Sequence, residues 1–286
     1  MRIVKNWDAA DGSATPGRVF TASIPQELIP NDGAQLDYFK LGLKGAVSTA
    51  AVVIEDFADL LNPFTFRFGS ENRIVLTGEE LCALMSFYYG QLPAIGENTD
   101  ATGNDFLGGI KIPVYQKSDN NRQFLAQADR TAVTNIATET IALTSYWDTG
   151  DSGRGAIHCV RIAHTTSASA GLETLGSQIV PAGQLIGLLI KQPNGFADGN
   201  IDTSVQRIKI LEAGKEITAM NDLADHTPIE VLDYVTPSPL ADLLRQTRVY
   251  DLRPAGFDAR GKQLTLQVDV QDVSDAIVII PVIAIK

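Results

Sequence analysis

Histidine, cysteine and clustered basic residues are what this sequence has least of. There are three histidines in 286 residues, and His158, His164 and His226 show no metal-ligand spacing such as H-x-x-x-H. The two cysteines, Cys82 in an expected helix and Cys159 in an expected strand, supply neither a disulfide framework nor a metal site and read as small core residues. His158 next to Cys159 is no thiol–imidazole pair, because neighbours on a strand point to opposite faces. Lys and Arg total 23 against 34 Asp and Glu, a formal charge of -11, with no basic run, which disfavours direct contact with nucleic acid. The longest apolar run, Ala276 to Ile285, is about half the ~20 residues a membrane span needs and is interrupted by Pro281. The first residues carry Arg2 and Lys5 without the apolar core of a secretory leader, so synthesis and retention in the cytoplasm are expected. The glycine stretches "FLGGIK" and "GSENRIVLTG" lack both phosphate-cradling patterns. Cofactor chemistry has no foothold here, and no cofactor is expected.

What is present is alternation. In "QLTLQVDVQ", Leu264, Leu266, Val268 and Val270 face one way and Thr265, Gln267, Asp269 and Gln271 the other, as on a strand with one wet face. The same reading predicts strands over 18–24, 38–47, 64–68, 72–76, 109–115, 132–136, 140–146, 156–164, 184–191, 205–211, 247–252 and 276–285. Many short strands between Gly, Pro, Asn and Asp clusters point to a sandwich or barrel. A composition 44% apolar and 20% charged is that of an ordered protein, and the length suits two domains of roughly 100 to 150 residues.

One helix is strongly signalled. Thr77 and Glu80 form a capping box, Leu76 and Leu81 sit as a hydrophobic staple, and Leu81, Leu84, Met85 and Tyr88 make an apolar stripe that Gly90 can end in a left-handed turn. "SPLADLLRQ" predicts a shorter helix capped by Ser238 with Pro239 in its first position. The corner "RIVLTGEELCALM" has a near copy in "RIKILEAGKEITAM", Arg207 to Met220, read as a strand running into a frayed helix because Ala213 replaces the capping threonine. "GAIHCVRIAH" and "DAIVIIPVIA" are a second matched pair. The repeat spacing drifts from roughly 135 residues to about 120, a pattern of elements more than of letters. Thr165 to Gln178, small, polar and aperiodic, reads as a linker. Acidic loops at Asp148 and Asp151 and at Asp198 and Asp202 read chiefly as solvated turns, with calcium ligation the minor alternative. Phe87, Tyr88 and Tyr89 read as packing at the helix end in preference to a sugar platform.

These features resemble the double jelly-roll major capsid proteins of tailless icosahedral viruses, the lineage of tectiviruses, corticoviruses and the adenovirus hexon. The resemblance rests on two successive units of jelly-roll size, on the paired corners, and on the closing strands in "QLTLQVDVQDVSDAIVIIPVIAIK". It implies an all-β fold of two tandem jelly-roll sandwiches with short helices between strands, an N-terminal arm over 1–16, a first jelly-roll over 17–168 and a second over 169–286. It further implies a non-enzymatic shell subunit in a virion, made in host cytoplasm and assembled as a homotrimer into pseudo-hexameric capsomers. Its partners would be neighbouring capsomers, minor and vertex proteins, and an internal membrane reached by the arm. The residues expected to matter are structural: Leu76, Thr77, Glu80, Leu81 and Gly90. Three other readings stay open: a tandem β-sandwich that binds carbohydrate or a receptor, a bicupin-like enzyme, which scattered histidines disfavour, and a capsid subunit built on one barrel.

Overall fold

Strand alternation and strand pairing account for most of the chain. The computed structural model describes residues 2–9, 19–23, 33–91, 93–96, 105–119, 121–149, 152–179, 183–192, 205–220, 247–253, 257–258, 264–270 and 274–285. They divide into two compact units, Met1–Val160 and Arg161–Lys286.

In the first unit the order is β1 (Arg2–Ala9), β2 (Val19–Ser23), β3 (Gln35–Val47), α1 (Ile54–Leu60), β4 (Leu61–Phe68) and β5 (Glu71–Leu76). There follow α2 (Gly78–Tyr89), β6 (Ala94–Gly96), β7 (Asp105–Lys117), β8 (Phe124–Arg130), β9 (Ile136–Asp148) and β10 (Ala156–Val160). One sheet runs β1-β9-β3-β7-β6, and a second runs β10-β5-β4-β8-β2. Only the β10–β5 pair is parallel among these. Aromatic contacts join the inner faces: Phe39 of β3 meets Phe66 of β4 edge-on at 5.2 Å, and Trp147 of β9 meets Phe124 of β8 at 5.3 Å. All four rings are buried, so two one-sided sheets close a single sandwich core.

The second unit comprises β11 (Ile162–Thr165), β12 (Gly171–Ile179), β13 (Gln184–Lys191), β14 (Val205–Glu212), β15 (Lys215–Met220), β16 (Thr247–Asp251), β17 (Phe257–Asp258), β18 (Leu264–Val270) and β19 (Ala276–Ile285). One sheet is β12-β18-β14-β15. In the other, β13 lies between β19 and the pair β16 and β17, while β11 takes the far edge of β19. Leu185, Leu188 and Ile190 of β13 and Ile277, Ile279 and Ile283 of β19 form one buried cluster with the apolar faces of β14 and β18.

Four sequence expectations are corrected. "RIKILEAGKEITAM" is a hairpin, not a strand entering a helix: β14 and β15 pair antiparallel with Glu212 opposite Lys215. Ala213 and Gly214 between them have φ of 49° and 81°, the doubly left-handed two-residue turn that suits strand twist. Without a capping hydroxyl at 213, nothing starts a helix. The expected linker contains β12, because β18 offers Glu173, Thr174 and Leu175 a strand to pair with, and pairing overrides weak propensity. The strand expected over 132–136 is a connection up to Asn135, with a turn at Thr134 and Asn135, and Ile136 opens β9; the inward face of its neighbour β8 carries Phe124, Ala126, Ala128 and Arg130, too weak an apolar signal to stand out. Finally, 156–164 breaks at Arg161 into β10 and β11. Part of the stretch read as an arm forms β1, paired along its length with β9. The helix expected at Ser238 lies outside the described residues.

Candidate functional site

The corner at β5–α2 is built by its own sequence. The Thr77 amide donates to Glu80 Oε2 at 2.8 Å, and the Glu80 amide donates to Thr77 Oγ1 at a longer 3.4 Å. The reciprocal box satisfies two orphan amides of the helix start. Leu76 and Leu81 are buried. Gly90 ends α2 with φ 62° and its amide donates to Ser86 O at 2.8 Å. A feature sequence reasoning missed is Gly78: a Cβ there would sit 2.1 Å from the Ala58 carbonyl oxygen of α1. The two helices approach too closely for any side chain, and the local sign of α1 is slight: Glu55 and Asp56 in its first turn, with Asp56 Oδ2 accepting from the Val53 amide at 3.0 Å.

Two further arrangements were not legible. Gln35 is fully buried; its Nε2 donates to Tyr115 O at 2.8 Å and Arg154 O at 3.0 Å, while Ser152 Oγ donates to its Oε1 at 2.6 Å. One amide side chain thus pins the turn after β9 to the end of β7. Arg130 and Glu139 form a buried ion pair at 2.5 Å, their side chains 2% and 1% exposed. Such a pair holds the end of β8 against β9 in one geometry at a desolvation cost.

The groups singled out for chemistry are dispersed. Cys159 is fully buried on β10, and burial pushes its thiol well above the usual range, as it does for Cys82. His158 projects from the opposite face; burial first, then the Arg73 charge, pull its pKa down to about 4 against the opposing pull of Glu71. A neutral imidazole beside an un-ionised thiol on the other face makes no nucleophilic pair. Among the described residues, no group of three or more His, Cys, Asp and Glu is placed to hold a metal; of the acidic-loop residues, only Asp148 is described. Phe87 is core, whereas Tyr89 packs edge-on to Tyr38 at 6.5 Å.

With no catalytic constellation among these groups, architecture carries the comparison. No family model matches the sequence, and no curated protein matches it. Solved structures do. The crystal structure of the major capsid protein of Sulfolobus Turreted Icosahedral Virus overlays at a TM-score of 0.71 and 14% identity, covering 100% of this chain and 97% of that one. The major capsid protein P2 from Bacteriophage PM2 gives 0.62 at 11% identity, covering 100% and 98%. The capsid of PBCV-1, in its quasi-atomic model, gives 0.59 at 11%, covering 99% and 93%. The fold is the double jelly-roll. At such identities the likeness lies in the arrangement of strands, and it extends along the double jelly-roll chains almost from end to end in both directions.

Proposed function

We propose that this chain is a major capsid protein, a structural subunit of an icosahedral virion that works by assembly and not by catalysis. The observation that carries the reading is the two-way coverage: this chain matches shell subunits over nearly their whole length, with two sandwich units and no convergent chemistry among the described residues. Met1–Val160 and Arg161–Lys286 are assigned to the two jelly-rolls, with the residues around Arg161 as their junction. Three copies then supply six similar units, so a homotrimer is a pseudo-hexamer suited to a hexagonal lattice. Obligate contacts of this type bury roughly 2,000 Å² or more.

Neighbouring capsomers and minor or vertex proteins are the expected partners. A net charge of -11 suits a shell kept from its genome by an internal membrane, because a bare phosphate backbone repels an acidic surface. Residues 1–16, which include β1, are the segment assigned to contact with a neighbour or with lipid. Size-exclusion chromatography with light scattering tests the assembly: the expected mass is three times 30.8 kDa, or a closed shell seen by electron microscopy. A single-chain mass at every concentration and salt, with no particles, overturns the proposal.

A further inference from the structure

The outer face of the five-stranded sheet carries a groove with an open floor. In β3, Phe39, Leu41 and Leu43 are buried, so Tyr38, Lys40, Gly42 and Lys44 face outward. Strand register sets their neighbours. Gly42 is paired with Gly109 of β7 and with Ala142 of β9, making a bare row across three strands. On one side the next row is Lys111, Lys40 and Thr144, followed by Tyr38 paired with Tyr146; on the other it is Leu107, Lys44 and Thr140. On β1 the bare row ends at Asp8. Met85, Gln91, Gly96 and Leu107 join the three small residues of the bare row, the row of Lys111 and the two tyrosines around a groove of about 700 Å³, whose charged lining among the described residues is Lys40 and Lys111.

Neither glycine is demanded by the backbone. Neither has a positive φ, and a Cβ would meet nothing nearer than 3.7 Å at Gly42 or 3.5 Å at Gly109, ordinary contact distances. Strands favour β-branched residues at such positions, so the missing side chains leave a floor open to a ligand. Above it, the Lys111 ammonium lies 4.2 Å from the Tyr38 ring centroid and 3.8 Å from that of Tyr89. Tyr38 stacks on Tyr146 at 4.4 Å. A lysine held against two ring faces loses little freedom on meeting an anion.

We infer that this groove binds an acidic saccharide, a sugar ring bearing one carboxylate or sulfate. Its C–H faces would lie on the glycine floor and against Leu107 and Met85, its hydroxyls on Thr144 and Gln91, and its charge on Lys111 and Lys40. A peptide fits less well: β3 is paired on both sides with β7 and β9, so the floor has no backbone groups left to form a ladder. A polyanion is opposed by the net charge of -11. The inference does not depend on the assembly reading.

The test is calorimetric titration of the purified full chain with sialyllactose, a sulfated disaccharide, neutral lactose and an Asp/Glu-rich hexapeptide. Saturable binding of either acidic sugar, with lactose and peptide at least tenfold weaker, is the expected result. Lys111→Gln is expected to weaken binding about tenfold through loss of one charge-assisted contact, and Gly42→Val to abolish it, both with unchanged circular dichroism and particle mass. Should Gly42→Val misfold, Lys40→Gln takes its place and is expected to weaken binding severalfold. No binding of either acidic sugar, equal affinity for lactose, tighter binding of the peptide, or full affinity in the folded variants overturns the inference.

Discussion

Gly78→Ala sets two physical effects against each other. On helix propensity alone the change is favourable, by up to ~1 kcal/mol in a helix interior and less in the first turn. Packing opposes it. The new methyl carbon would lie 2.1 Å from the Ala58 carbonyl oxygen, 2.8 Å from its carbon and 2.9 Å from its Cα, all backbone atoms that no rotamer change can move aside. Relief requires α1 and α2 to separate, and forced shifts of that kind cost about 1–3 kcal/mol, occasionally more. The net expectation is a loss of about 2 kcal/mol. The protein offers a clean reporter, since its two tryptophans, Trp7 and Trp147, both lie in the first unit. Urea or thermal unfolding followed by tryptophan fluorescence therefore reads that unit alone. At roughly 2–4 °C per kcal/mol for a unit of this size, the midpoint is expected to fall by about 4–8 °C. A midpoint equal to or above that of the parent protein would refute the close-approach argument and leave propensity as the ruling effect.

The remaining predictions use the same reporter. Thr77→Ala is expected to cost about 1 kcal/mol and Glu80→Ala about 2 kcal/mol, in that order because the carboxylate half of the box is the shorter, charged bond; a reversed order contradicts the assignment. Arg130→Met leaves the Glu139 carboxylate buried without its cation and is expected to cost about 3–5 kcal/mol, most of it recovered by adding Glu139→Leu; equal stability of the single and double variants counts against the pair. For His158 the sign follows from its lowered pKa: between about 4 and 6.5 the unfolded chain binds a proton that the folded chain does not. Stability is thus intact above about pH 6.5 and declines as pH falls toward about 4, by up to ~3 kcal/mol. His158→Gln is expected to flatten that slope, and an unchanged slope removes His158 as its source.

Local chemistry made some elements readable and left others blank. The α2 corner needed only Thr77, Glu80 and Gly90, because cap and stop signals act within one helical turn. β18 and β13 were readable because one or both of their faces are continuously apolar. The second corner misled, since its letters copy the first while Ala213 and Gly214 close a hairpin. Here a missing cap and a glycine outweighed the resemblance of the flanking residues.

The sequence by itself determined that this is an acidic, all-β chain of two successive units, because alternation of period two and turn chemistry are local properties. Only the tertiary structure decided which strands pair. That choice turned an apparent linker into β12 and set Gly78 against α1. It also brought Gly42, Gly109 and Ala142, far apart in the chain, into one bare row under Lys111. Register is fixed by burial across whole sheets, and no short stretch of residues carries it.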